Sequence, residues 1–188
     1  MQMNETREKA TEAFGQILIK QGYDWVDLEK VGETTSIELK DLQHEFPNKA
    51  LLCASWMEMT DVRARKHHAD LLSSGRSERA ILEQYFAELE NFMNQYGFKG
   101  CPFTNTARAI RDKSEPEIEQ RIREHKGEMR QFFLRLCERV CSGSGHLGEA
   151  LFLIYSGATT ESANLHNMKP IQSGREASLA LFDLYSQR

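Results

Sequence analysis

Between positions 34 and 49 the chain carries Thr34, Lys40, Gln43, His44 and Lys49. Hydroxyl, ammonium, amide and imidazole groups are ones that can grip phosphate oxygens and read base edges in a major groove. They stand among carboxylates. From Gly22 to Phe46, Asp24, Asp27, Glu29, Glu33, Glu38, Asp41 and Glu45 oppose Lys30 and Lys40, seven acids against two bases, a local charge of −5. Phosphate contacts supply essentially all non-specific affinity for nucleic acid. The segment therefore offers base-edge chemistry with little attraction to a phosphate backbone. A carboxylate can accept from cytosine N4, which suits one contact better than three acids on one short helix.

Other reactive types lead to blander readings. Arg63-Ala64-Arg65-Lys66-His67-His68 has the composition of a polyanion patch, but it lies about 20 Å along a helix from Lys49 at 1.5 Å per residue. A solvated helix face with cations near its C-terminus accounts for it. Cys137 and Cys141 share a helix face at i, i+4 with His146 nearby, which falls short of a four-ligand metal site. Cys53, Cys101, Cys137 and Cys141 form no CxxC pair and read as mostly buried thiols of a reducing compartment. Glu124 and His125, adjacent in sequence, point about 100° apart on one helix. No phosphate-cradling glycine loop, nucleophile triad or carboxylate pair beside a histidine stands out, so no catalysis, metal or cofactor is expected.

The elements that would position these groups are helical. Ala10, Ala13, Phe14, Ile17 and Leu18 make an amphipathic stripe that Gly22 closes. Val26 to Phe46 holds two short helices around a Thr34-Thr35-Ser36 turn, and Thr35-x-x-Glu38 has capping-box spacing that starts the second helix early. A longer helix runs from Lys49 to about Ser73, and another from about Ser77 to Tyr96. A short one covers Ala107 and Ile110, a long one follows Pro116 to Val140, and Ser142 to Gly145 is a flexible stop. The last two span about Leu147–Asn164 and Gln172–Ser186. Strand alternation is absent, and the fold class is all-α with about nine helices. The 188 residues, 28% charged with a net −4, suit a globular protein, and no apolar run is long enough to span a membrane, so a cytoplasmic location is expected.

Two short helices joined by a tight turn behind an amphipathic helix make a helix-turn-helix pattern. From Thr6 to Trp56 the sequence resembles the DNA-binding domain of the TetR family of transcriptional regulators. Gly22 ends the first helix, Val31-Gly32 stands where the family has Ile-Ala, Ile37 falls on the turn valine, and Leu42, Phe46, Lys49 and Leu52 match later family positions. Gly100-Cys101-Pro102-Phe103-Thr104-Asn105-Thr106-Ala107 is similar to a Gly-Cys-x-x-x-Asn-x-Ala segment of many members, as is the Glu115-Pro116-Glu117-Ile118 helix start. Ser156-Gly157-Ala158 sits where members often carry small residues. The family's DNA-facing positions depart most: Glu38 replaces a capping serine, Lys40 a glycine, Gln43 a tyrosine and Glu45 a histidine or tyrosine.

The resemblance implies a helix-turn-helix domain over residues 1–47 and a ligand-binding, dimerising domain over 48–188. It makes Lys49 the phosphate-contacting lysine, operator DNA a partner through Thr34, Lys40, Gln43, His44 and Lys49, and a second copy of the chain another partner. Leu147, Ala150, Leu151, Ile154 and Ala158 on one helix and Leu181, Phe182 and Tyr185 on the next are the expected dimer face. A small apolar effector is expected against a subset of Trp56, Met59, Tyr85, Phe86, Phe92, Phe103, Met129 and Phe133. Plain core packing would explain the same residues. Two readings of function stay open: an effector-released regulator, most simply a repressor, and a dimeric ligand-binding or protein-interaction protein whose acidic helix-turn-helix no longer binds DNA.

Overall fold

The apolar stripe that begins at Ala10 becomes helix α1, Glu5–Gln21, in a computed structural model that describes residues 5–140, 143 and 145–187. Gly22 ends it at φ 93°, a conformation costly for any residue with a Cβ. A 3-10 turn over Tyr23–Trp25 follows, an element the helical period did not announce. Helix α2, Leu28–Thr35, starts at Asp27, whose carboxylate accepts from the Lys30 N–H at 2.8 Å. Ser36 in the left-handed region (φ 59°) terminates it. Helix α3, Leu39–Glu45, is only two turns long.

The remaining helices are α4 Lys49–Leu72, α5 Glu78–Tyr96, α6 Pro102–Ala109, α7 Pro116–Glu138, α8 Gly145–Leu165 and α9 Lys169–Ser186. Nine helices and no strand occur among the described residues, as the period of apolar positions leads one to expect. Asn48 caps α4 by accepting from the Leu51 N–H at 2.9 Å, and Ser77 caps α5 by accepting from Ala80. Helix α9 begins three residues before Gln172, because Pro170 fits in a first helical turn, where its missing N–H leaves no bond unmade. No helix among the described residues is long and apolar enough to cross a membrane.

The chain packs as two compact units. One runs up to Arg63 and includes Pro102–His125; the other joins Ala64–Cys101 to Lys126 onward. Packing thus places α6 and the first part of α7 with the helix-turn-helix helices, while the 1–47 and 48–188 division remains one of proposed roles. In the first unit Phe14, Val31, Leu42, Phe46, Leu52, Trp56, Phe103 and Ile118 are buried. Gly15 is forced by its surroundings, since a Cβ there would overlap the indole of Trp56.

The second unit centres on Ile81, Leu82, Phe86, Phe132, Phe133, Leu136, Leu147, Leu151 and Phe182. Helices α8 and α9 pack against each other, and α9 also packs on α5. Close approach there depends on small residues: a Cβ on Gly148 would meet the Leu134 Cα at 2.8 Å, and one on Gly174 the Ala158 Cβ at 2.9 Å. Burial pushes the Cys53 and Cys137 thiols up to about 12. At pH 8 that leaves about one thiolate in ten thousand. A thiol reagent at pH 8 should therefore leave Cys53 and Cys137 unlabelled in the native protein and label both in guanidinium, as peptide mass spectrometry can check.

Candidate nucleic-acid interface

The turn between α2 and α3 is built differently from the capping box that Thr35 and Glu38 suggest. The Thr35 hydroxyl donates back to the Val31 carbonyl at 2.7 Å, a bond that belongs to the last turn of α2. Glu38 is the N-cap of α3 but makes no side-chain capping bond. The early start of the second helix is thereby corrected, and Thr34 and Thr35 belong to α2 rather than to a turn. Gly32 allows the two helices to close: a Cβ there would lie 3.0 Å from the Ile37 carbonyl and 3.4 Å from Leu42. Leu42 and Phe46 are fully buried and fix which face of α3 remains outside.

That outer face carries Lys40, Asp41, Gln43 and His44, all exposed. Thr34 is also exposed, with its hydroxyl donating to the Lys30 carbonyl at 2.8 Å. Lys40 is ion-paired with Glu38 at 2.8 Å, both side chains well exposed. Glu45 is turned inward by comparison: its carboxylate is 3.7 Å from Arg7, whose guanidinium also lies 4.4 Å above the Phe46 ring. A cleft lined by Thr6, Ser36, Ile37, Glu38, Asp41, His44 and Glu45 runs beside α3. Three carboxylates line it, of which Glu38 is paired with Lys40 and Glu45 with Arg7.

Lys49 has a different posture from a freely extended phosphate ligand. Its ammonium donates to the Tyr23 carbonyl at 2.7 Å and sits 4.1 Å from the centre of the Tyr23 ring. Desolvation by burial, and next the nearby charge of Lys113, hold its pKa below the ordinary lysine value. Lys113, from the segment between α6 and α7, binds Asp24 at 2.8 Å and lies 5.7 Å from the same ring. This cluster was not legible in the sequence, because Tyr23 and Lys113 are ninety positions apart and no motif contains both.

Three members of the basic run on α4 are engaged locally, while Arg65 is exposed. Arg63 pairs with Glu12, Lys66 with Asp70 at 2.8 Å, and His67 with Glu88 at 2.7 Å. Cys141 lies outside the described residues, and Cys137 is buried. No group of three or more potential metal ligands occurs among the described residues.

The residues expected around an effector fall in both units. In the first, Trp56 and Phe103 are buried with ring centres 5.5 Å apart, and Met59 is half-buried. Phe103 stacks on His125 at 3.6 Å, and His125 Nδ1 lies 2.6 Å from the carboxylate of Asp61. In the second unit Tyr85 packs on Phe132, Phe133 and Tyr155 at 4.6 to 5.5 Å, and Phe86 packs on Tyr155. Phe86 and Phe133 are fully buried, Met129 is buried, and Phe92 is half-buried against Tyr96. A polar element, invisible to the apolar stripe, joins this cluster: His68 Nε2 lies 2.9 Å from the Tyr85 hydroxyl and its ring stacks on Phe132. Burial raises the Tyr85 and Tyr155 hydroxyls well above the usual tyrosine range.

Of the expected dimer face, Leu147, Leu151, Ala158 and Phe182 are buried in the protomer's own core, and Ala158 serves the close approach to Gly174. Ala150, Ile154, Leu181 and Tyr185 are half-buried. Leu153 and Leu165 on α8 and Leu184 on α9 are large apolar residues left outside, 66%, 59% and 62% exposed, and a Cβ on Gly157 would meet nothing within 4 Å.

No family model and no curated protein matches the sequence. Solved structures do match the fold over nearly the whole chain. A TetR-family transcriptional regulator from Streptomyces coelicolor superposes with a TM-score of 0.84 at 17% identity, covering 97% of this chain and 91% of its own. A TetR transcriptional regulator from Legionella pneumophila gives 0.82 at 13% identity, with 95% and 97% covered. The reduced form of Escherichia coli NemR gives 0.79 at 15% identity, with 93% and 95% covered. The chain has the all-α fold of TetR-family regulators, helix-turn-helix included.

Proposed function

We propose that this chain is a TetR-like transcriptional regulator that binds operator DNA as a homodimer, most simply as a repressor, and is released by a small apolar effector. The observation that carries the reading is the likeness of the whole chain, rather than of the helix-turn-helix alone, to regulators of this fold. Helix α3 would enter the major groove with Lys40, Gln43 and His44, while Thr34 and Lys49 approach the backbone. The dimer would form through the outer stripe of α8 and α9, with Leu153, Gly157, Ala177, Ala180 and Leu184 on it; these five are exposed in the protomer. An effector that prefers one spacing of the two recognition helices would shift the population toward it. Its walls would come from the aromatic clusters around Trp56 and Phe103 or around Tyr85. A mobility-shift assay on the gene's own upstream region against a scrambled duplex tests the reading.

The acidic surface supports a second reading. With Lys40 neutralised by Glu38 and Lys49 engaged with Tyr23, a protein partner for the helix-turn-helix becomes the alternative. Charge substitution separates the two. Under the DNA reading Glu38→Ser removes a repulsive carboxylate and frees Lys40, so binding to random duplex should tighten roughly three- to tenfold at low salt. Unchanged, undetectable binding in both proteins would favour the protein partner.

A further inference from the structure

The acids of α2 and α3 leave a DNA-binding unit short of backbone attraction, and the first unit holds cations that the helix-turn-helix pattern does not contain. Tyr23, 4% exposed, is the pivot. Its ring carries the Lys49 ammonium at 4.1 Å and the Lys113 ammonium at 5.7 Å. A cleft of about 370 Å³, lined by Tyr23, Asn48, Lys49, Ala50, Lys113 and Glu115, opens beside them.

We propose that Lys113 is a second backbone contact to duplex DNA, acting with Lys49 across the Tyr23 ring, so that the footprint extends beyond the helix-turn-helix to the segment between α6 and α7. The inference rests on the DNA-binding reading above and adds to it a residue outside α1 to α4. Two ammonium groups held this close repel each other, which is one reason the Lys49 charge is disfavoured. Asp24 and Asp27 offset that repulsion. Asp24 binds Lys113 from the exposed side, and the Lys113 hydrogen bond holds its carboxyl below the usual range. Glu115 lines the cleft, and its charge adds to the burial that raises the Tyr23 hydroxyl above the ordinary tyrosine range.

A phosphodiester entering the cleft would meet both ammonium groups, with Asp24 as the movable counter-charge on the solvent side. The exchange is favourable because one exposed ion pair contributes little by itself, whereas each phosphate neutralised also releases a condensed counterion. Lys113 would add to affinity for all sequences alike, since it reaches the backbone and no base edge.

The test is fluorescence anisotropy of the full chain on a labelled random duplex, read from about 50 to 200 mM salt. Lys113→Gln should weaken binding several-fold on every sequence and lower the magnitude of the log K against log salt slope by about one. Lys113→Arg should retain the wild-type slope. Asp24→Asn, which frees the ammonium, should tighten binding. Melting temperatures of all three should stay within about two degrees of wild type, because the pair is exposed. Wild-type binding with an unchanged slope in Lys113→Gln overturns the Lys113 contact and leaves the DNA-binding reading standing. Absence of wild-type binding even at the lowest salt overturns both.

Discussion

His125→Phe should destabilise the first unit by about 1 to 3 kcal/mol, the range for leaving a buried polar group without its hydrogen-bond partner. Asp61 is 2% exposed on α4, and His125 Nδ1 approaches its carboxylate at 2.6 Å from α7. A phenyl ring preserves much of the stack on Phe103, so packing loss is kept small and the dominant effect is a buried carboxyl left without this hydrogen-bond partner. Adding Asp61→Leu to His125→Phe should recover most of the loss, because an apolar pair of similar volume needs no desolvation of charge. Urea unfolding followed by tryptophan fluorescence reads both, since Trp56 packs on Phe103 beside the site. A single-variant cost under about 1 kcal/mol would mean that the carboxylate is adequately held without His125.

That pair also shows where the sequence stops being informative. His125 was weighed against Glu124, its neighbour in the chain, and those two point apart; its partner is 64 residues away on another helix. Periodicity places the helices because burying a stripe is a local demand, repeated every turn. Which polar groups meet inside is settled by long-range packing that no single stripe records. The same limit explains α8 and α9. Both have apolar residues on more than one side, so the stripe through Leu147, Leu151 and Ala158 looked suitable for a partner molecule. Those three are buried within the protomer, with Ala158 against Gly174 of α9. The capping-box spacing at Thr35 and Glu38 failed for a more local reason. Thr35 donates backward to Val31 and accepts at 3.4 Å from the Ile37 N–H, one residue short of the Glu38 N–H that a capping box would use, with Ser36 left-handed between them.

Lys40, Gln43 and His44 were readable as exposed because Leu42 and Phe46 had to be inside, which orients a seven-residue helix completely. Lys49 was placed correctly at the start of α4, yet its engagement with Tyr23 depends on a 3-10 turn that has no periodic signature. The acidity of the recognition segment is plain from its residue types, whereas the pairing of Glu45 with Arg7 and of Glu38 with Lys40 is a product of the fold.

Leu184→Arg should convert the proposed dimer into a folded monomer, whereas Leu151→Arg should abolish folding of the second unit. The two leucines differ in one respect that decides the outcome: Leu184 is 62% exposed in the protomer and Leu151 is 0%. An arginine at 184 can extend into water in the free chain, so helicity and cooperative unfolding should survive. In a twofold interface the same change brings two charges against apolar surface, at a cost of several kcal/mol for each one left unpaired. Association with a dissociation constant near micromolar corresponds to about 8 kcal/mol, so the loss is enough to dissociate it. At position 151 the charge has no route to solvent, and the cost falls on the fold itself. Sedimentation velocity at about 10 μM with far-UV circular dichroism distinguishes the cases, and Leu153→Arg should behave as Leu184→Arg does. A monomeric wild type, or a Leu184→Arg variant that stays dimeric, would sink the α8 and α9 interface. A Leu151→Arg protein that folds and merely dissociates would return the interface to the stripe through Leu147 and Leu151.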